Sequence, residues 1–432
     1  MATVADPQPA DFARSDHPLL DSLLVAAGQQ RVRGVDLALD RIERLLARMG
    51  APHRRLPPVF HVAGTNGKGS TCAFLRAGLE AAGARTHVYT SPHLVRVNER
   101  VRLAGELVSD EDMAEALGDV LRLNAGQPLS FFEALTAAAF LLFAAAPADA
   151  LVLEVGLGGR LDATNVVPEP LVTGIAELSM DHVAILGPTI RHIAAEKAGI
   201  AKRGVPLVTQ AYPPAVAARI AEVAALAGAR LLPRREAWDA RLVEGQLEVA
   251  IEGAEPVSLP VPRLAGAHQA DNAALAVAML KSQQALAVPD TALRQSMAWA
   301  SWPGRLQRIT AGPLFDRLPP GSTLLVDGGH NPSAARALAA YAATLDLPLV
   351  LVLGMLQSKD HAAFTRALPR TARRIGVPVP GHAHAPPEAL ATETAPDLAA
   401  ALALVERPSA VIVCGSLHLA GDFLRRNGPL PA

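Results

Sequence analysis

The residues whose types and spacing could do chemistry begin at Gly64-Thr65-Asn66-Gly67-Lys68-Gly69-Ser70, set between the strand-like run PVFHVA and a helix-like run at 68–82. Glycines let backbone N–H groups converge on an anion, the start of a helix adds partial positive charge, and Lys68 supplies a full, mobile charge. That chemistry is phosphate binding, and it favours a nucleoside triphosphate. The stretch departs from G-x-x-x-x-G-K-[ST], because Val62 stands where the first Gly belongs and Gly69 follows the lysine. It is a related but distinct phosphate loop. The plainer alternative is a Gly-rich turn with a solvated lysine.

Further candidates fall where strand-like runs end. Glu154 closes ALVLEV and precedes Gly156-Leu157-Gly158-Gly159-Arg160-Leu161-Asp162. A carboxylate there could hold Mg²⁺, which prefers oxygen ligands and bridges phosphate oxygens, or could simply organise its loop. The loop is not a dinucleotide fingerprint, since Leu161 replaces the last Gly of G-x-G-x-x-G. Asp181-His182 and Glu196-Lys197 read either as a helix cap with a satisfied histidine and a solvated pair, or as ligands, depending on whether they share a cleft with Lys68. Asp327-Gly328-Gly329-His330-Asn331-Pro332 is either a strand-to-helix turn, with Pro332 suited to the first helical turn, or a contact made across a cleft. The Pro/Gly-rich stretch 376–387 carries His382 and His384 but no carboxylate or Cys partner, so it is expected to be a mobile surface loop.

These residues need elements to position them. Strand-like runs at 59–63, 87–90, 151–155, 171–176 and 206–209 alternate with helix-like runs at 68–82, 110–123, 131–145 and 215–226, the second behind a Ser109…Asp112 capping pattern. Such alternation predicts an α/β fold with a mainly parallel sheet, in which ligands gather at the carboxyl ends of the strands. Between 241 and 261 short alternating segments predict a small antiparallel addition. Helices are expected over 272–287 and 290–300, and Pro303-Gly304 then breaks the chain, which places a domain boundary there, with 1–303 as the larger domain and 304–432 as a smaller, Rossmann-like one. A length of 432 residues suits two or three domains of about 150 residues each.

Composition narrows the partners. Lys plus Arg is 40 and Asp plus Glu is 41, a net charge of −1, so no global field exists to hold nucleic acid or an anionic membrane. The two cysteines, Cys72 and Cys414, cannot build a disulfide framework, and the first residues lack the pattern of a secretion signal, so a cytoplasmic protein is expected. The most apolar run, 134–147, is too short to span a bilayer and reads as a buried helix.

Taken together the segments resemble the dihydrofolate synthase/folylpolyglutamate synthase family, relatives of the Mur peptidoglycan ligases. The matches run in order along nearly the whole chain: VDLALDRIERLL, HVAGTNGKGSTCAFL, YTSPHLVRVNERVRL, LSFFEALTAAAF, LEVGLGGRLDATNVV, DHVAILGPTIRHIAAEKAGI, LAGAHQADNAALA, WPGRLQ, VDGGHNP and CGSLHLAG. The resemblance implies a larger ATPase domain, a smaller Rossmann-like domain and a substrate cleft between them. It implies that ATP phosphorylates a substrate carboxylate and that the amino group of L-glutamate attacks the acyl phosphate, the acids being dihydropteroate and reduced folates. It places Gly64 to Ser70 around the phosphates, with Lys68 on the β- and γ-phosphates, and Asn272, Arg305 and Asp327 on ATP. Ser91, Glu154 and His182 fall on Mg²⁺; two ions are implied, with room for a monovalent cation. In the family the lysine matching Lys197 is carbamylated, which turns an ammonium into an anion able to ligate metal, and the same is expected here. The pterin would lie against Asp36, Leu37 and Ala38, against Ser130, Phe131, Phe132 and Glu133, and against Leu161, Asp162 and Ala163. The Phe pair offers either stacking surfaces or plain core. His330 and Ser416 are candidates to position glutamate. A monomer is implied.

Gly329 departs from the family's D-x-A-H-N-P, and the 376–387 stretch has no matching function. A bifunctional enzyme is expected, with polyglutamylation alone as the near alternative; Asp36-Leu37-Ala38 and the Ser130–Glu133 segment favour a dihydropteroate site. A Mur-type ligase is disfavoured because no amino-terminal domain for a nucleotide sugar precedes Gly64. A nucleotide switch that uses ATP only for conformation would differ in hydrolysing it without regard to glutamate.

Overall fold

The computed structural model describes residues 15, 17–29, 37–428 and 430–431. Three sheets organise them. The first has eight strands: β1 (Val59–Ala63), β2 (Thr86–Tyr89), β3 (Val101–Leu103), β4 (Glu106–Leu107), β5 (Ala150–Glu154), β6 (Val172–Ile175), β7 (Pro206–Thr209) and β8 (Arg230–Pro233), in the order β4-β3-β2-β5-β1-β6-β7-β8. Along the sheet from β2 to β8 all neighbours are parallel, and at the other edge β3 pairs antiparallel with both β2 and β4. The central strands β1 and β5 are buried along their whole length, as parallel strands covered on both faces must be.

One face packs on the helices Lys68–Ala81, His268–Lys281 and Asp290–Trp299, and the other on Asp110–Asn124 and Phe131–Ala145. Local sequence explains where these helices start. Ser109 Oγ accepts the Asp112 N–H, and Ser130 with Glu133 forms a reciprocal capping box, which satisfies orphan amides of each first turn. The predicted helix over 272–287 is corrected to His268–Lys281. Gln283 ends it: its Nε2 donates to Leu280 O at 2.9 Å and Leu286 O at 2.8 Å, and its Oε1 accepts from Leu286 N, so the chain turns instead of continuing.

The predicted hairpins form a three-stranded antiparallel sheet of β9 (Trp238–Val243), β10 (Gln246–Ile251) and β11 (Val257–Pro260). The third sheet has β12 (Gln307–Ile309), β13 (Thr323–Val326), β14 (Leu349–Leu353), β15 (Arg373–Gly376), β16 (Glu393–Thr394) and β17 (Ala410–Cys414), in the order β12-β13-β17-β14-β15-β16, parallel except for β12. Apolar clusters cover both of its faces. The 376–387 stretch is not a loose surface loop: Val377, Val379 and Ala385 are fully buried, and the His382 ring lies 3.8 Å from that of His418. Its apolar side chains prolong the inward alternation of β15. Among the described residues no helix is long and apolar enough to cross a membrane.

Candidate active site

β1 lies between β5 and β6 although the chain runs from β1 to β2, so the strand order reverses direction beside β1. A crevice at the carboxyl ends of the strands is expected at such a point. The ends of β1, β5 and β6 carry the phosphate loop, Glu154 and the segment 177–182.

The loop is pinned from β6. Glu177 O accepts the amides of Thr65 at 2.7 Å and Asn66 at 3.3 Å, and Thr65 Oγ1 exchanges hydrogen bonds with the backbone of Ser179. Those two amides are therefore spent on architecture, and the amides left for an anion are those of the first helical turn, Lys68 to Ser70. Gly67 adopts φ +81° with the Asn272 side chain packed where a Cβ would stand. Lys68 Nζ curls back onto Gly64 O at 3.1 Å and Thr65 O at 3.4 Å.

The remaining candidates converge on this lysine. Glu154 is 3% exposed and its Oε2 accepts the Ser91 N–H at 3.2 Å; burial pushes its carboxyl up, while Lys68, Ser91 and Arg305 pull it back. His182 sits at φ +51° with its outer edge open, yet burial of the rest, helped by Lys359, takes its pKa down to about 4, so the imidazole is neutral with a lone pair to give. Lys197 is not a solvated partner of Glu196. It is 4% exposed, and burial together with the Lys68 charge lowers its pKa to about 7. Glu196 pairs instead with Arg160 at 2.8 Å, and Gly159 packs against the backbone of Lys197, which draws the 156–162 loop to this helix end. Among the described residues no group of three or more His, Cys, Asp and Glu stands ready for a metal. The donors present are a carboxylate, a hydroxyl and a neutral imidazole, a set that fits a hard divalent cation.

From the third sheet, Asp327 reaches back to hold the connection: its Oδ2 accepts Leu306 N at 2.9 Å and its Oδ1 accepts Gly329 N at 2.7 Å. Arg305 lines, with Ser91, Glu154, Arg76, Trp302 and Leu417, a cavity of about 240 Å³. His330 Nε2 stands 3.5 Å from Asp181 Oδ2, and Asn331 meets Asn66. Ser416 caps the last helix, its Oγ accepting His418 N, next to Gly415, which donates to Gly329 O.

Those of the predicted pterin residues that are described gather elsewhere and line no wall of that cavity. Phe132 lies over Gly156 and 6.0 Å from Tyr89, and Leu37 approaches Gly158. Arg100 lies 6.0 Å over Phe131. Glu133 is paired with Arg41 at 3.1 Å, and Asp162 accepts from Leu157 N, Thr164 N and Thr164 Oγ1, so both carboxylates are engaged in holding their segments. Leu161 and Ala163 flank Asp162 in the same loop, and Ala38 follows Leu37. Asp36 lies outside the described residues. Sequence reasoning passed over Glu177 and Lys359; both follow sheet-strand ends, the one signal that could have found them.

No family model matches the chain. The dihydrofolate synthase/folylpolyglutamate synthase of Bacillus subtilis is 38% identical over 326 residues, which cover 71% of this chain and 72% of that protein. The chain belongs to the dihydrofolate synthase/folylpolyglutamate synthase family. Two solved structures of the family extend the likeness to nearly the full length. A bifunctional folylpolyglutamate synthase/dihydrofolate synthase with Mn, AMPPNP and L-glutamate bound has a TM-score of 0.83 at 33% identity, covering 98% of this chain and 99% of that one. The E. coli FolC in complex with DHPP and ADP has a TM-score of 0.84 at 32% identity, covering 95% and 98%. The large, mainly parallel sheet and the second, mixed sheet of this chain match the two-domain structures of that family.

Proposed function

We propose that this protein joins L-glutamate to dihydropteroate and to the γ-carboxylate of reduced folates, with ATP converted to ADP and phosphate. The observation that carries the reading is the phosphate loop at the end of β1, with Lys68 heading its helix, beside a cavity that Ser91, Glu154 and Arg305 line together.

The chemistry follows from the acid. A carboxylate repels an incoming amine and has no good leaving group. Transfer of the γ-phosphoryl group to a carboxylate oxygen expels ADP and yields an acyl phosphate; the glutamate nitrogen then bonds to the acyl carbon, phosphate departs and the nitrogen releases its proton. Lys68 and the first-turn amides stabilise charge on the phosphates, and Arg305 brings a fixed cation from the connection between the sheets. Asn272 and Asp327 complete the nucleotide contacts. Ser91, Glu154, His182 and Lys197 would hold Mg²⁺, which supplies Lewis-acid polarisation of the phosphoryl oxygens. Lys197 joins that set as a carbamate, which an amine with its pKa lowered to about 7 is suited to form. The pterin lies against Leu37, Phe132 and the 156–163 loop, and His330 and Ser416 position glutamate. The two units divide at Pro303-Gly304, and the enzyme works as a cytoplasmic monomer.

ADP release measured with dihydropteroate or tetrahydrofolate beside L-glutamate tests the reading. The expected result is release that needs both an acid and glutamate and is abolished by Lys68→Ala. Activity with tetrahydrofolate alone would restrict the enzyme to polyglutamylation, and hydrolysis indifferent to glutamate would remove the ligase assignment.

A further inference from the structure

The cavity that Ser91, Glu154 and Arg305 line does not end at those residues. It continues along β2, where alternation puts Val88 and Thr90 on one face. Arg102 on β3 stands directly across from Val88 and so shares that face, and the helix Lys68–Ala81 brings Arg76 over it. From Ser91 to the level of Val88 is about 10 Å along the strand. The cavity reaches solvent: Trp299 and Ser301 on its wall are exposed, and at the Arg102 end the Arg76 side chain keeps 30% of its surface. Its volume of about 240 Å³ is many times the roughly 10–15 Å³ that a single water needs, so a tetrahedral oxyanion fits.

The charges along this passage are sorted by sign. Two carboxylates of its wall are already met: Glu80 pairs with Arg76 at 2.8 Å, and Glu99 accepts the amides of Leu94, Val95 and Arg96 at 2.7, 2.8 and 2.6 Å. Arg102 is held by a carbonyl instead, its Nη1 donating to Gly105 O at 3.1 Å, where Arg76 Nη2 also donates at 3.3 Å. Burial and the Arg76 charge lower the Arg102 pKa to about 10, which leaves the guanidinium charged at neutral pH. Cations therefore stand at both ends, Arg305 beside Glu154 and Arg102 with Arg76 toward solvent. The γ-phosphoryl group is the innermost part of a bound ATP, and the phosphate it becomes is enclosed by ADP on one side and the new amide on the other. Its way back through the nucleotide's entrance is shut until ADP goes. We infer that inorganic phosphate leaves through this cavity ahead of ADP, passing from Arg305 to a site on Arg102 and Arg76. This rests on the ligase reading above.

Initial rates of amide formation with ADP and inorganic phosphate added together as inhibitors test it. In the wild type the two bind at once, so reciprocal rates plotted against phosphate at several ADP concentrations converge. In a single turnover followed with a fluorescent phosphate reporter, phosphate is free before ADP. Arg102→Met, checked by thermal melting, loses one charge-assisted contact and raises the inhibition constant for phosphate about 10- to 100-fold, while that for ADP and KM for the acid move by less than about twofold. Arg102→Lys, which keeps the charge, recovers most of the loss. Parallel lines or ADP free before phosphate in the wild type overturns the inference, whatever the variants do. So does an unchanged phosphate constant in Arg102→Met, an equal rise for ADP, or a raised KM for the acid, which would make the cavity part of the acid's site. A wild-type protein whose ADP release ignores glutamate removes the ligase reading and the inference together; a glutamate-dependent wild type with an unaltered Arg102→Met removes the inference alone.

Discussion

Asn66 in the phosphate loop and Asn331 at the head of the helix Pro332–Ala342 clasp each other amide to amide, Asn331 Nδ2 donating to Asn66 Oδ1 at 2.8 Å and Asn66 Nδ2 returning to Asn331 Oδ1 at 3.4 Å. The pair ties the loop after β1 to the turn after β13, and Ser333 reinforces it by donating to Glu177. Asn331 also caps its helix, its Oδ1 accepting Ala334 N. A double-mutant cycle of Asn66→Ala and Asn331→Ala in chemical denaturation is expected to show a coupling of about 1 kcal/mol, the size of one net hydrogen bond. Strict additivity would mean that the clasp contributes nothing.

Gly69 lies under the Trp302 ring, where a Cβ would come within 2.6 Å of the indole. Alanine there must displace a large ring that also walls the cavity. Gly69→Ala is expected to lower unfolding free energy by about 1–3 kcal/mol, the usual cost of overpacking, and Trp302→Ala in the same chain to relieve part of that penalty. A neutral Gly69→Ala would show that the ring gives way freely.

Lys197 gives a pH dependence with a definite sign. Its pKa is about 7 in the fold against 10.5 when unperturbed, so between those values the unfolded chain binds more protons than the native one. In carbon-dioxide-free buffer this group's contribution to stability therefore rises with pH across that window and is lost as pH falls through about 7, and Lys197→Met removes the slope. The deprotonated fraction of the same amine can take up carbon dioxide. Labelled bicarbonate should give a carbamate carbon signal that Lys197→Met lacks, and a Lys197→Ala variant should recover activity with added short carboxylates. Wild-type activity in Lys197→Ala without such rescue would contradict the carbamate.

The parts of this molecule that were legible in its sequence are those whose causes are local. The phosphate loop announces itself because strand, glycines, lysine and helix are contiguous, and the helix behind it ends at Ala81, within a residue of its expected bound. The helix expected over 272–287 ends at Lys281 because a side chain, Gln283, and not a breaker residue turns the chain. The 376–387 stretch looked loose from its prolines and glycines, although Val377, Val379 and Ala385 had partners to bury against that only the assembled sheet provides. Asn66 and Asn331 are 265 residues apart and Asp181 and Lys359 are 178 apart, so nothing in the neighbouring residues could disclose either contact.

Activation of the acid by phosphorylation is tested most directly by following oxygen. Dihydropteroate or tetrahydrofolate labelled with ¹⁸O in the reacting carboxylate, turned over with ATP and L-glutamate, should deliver one labelled oxygen to each inorganic phosphate, because the bridging oxygen of an acyl phosphate leaves with phosphorus. Phosphate free of label, with amide formed at the same rate, would contradict the mechanism.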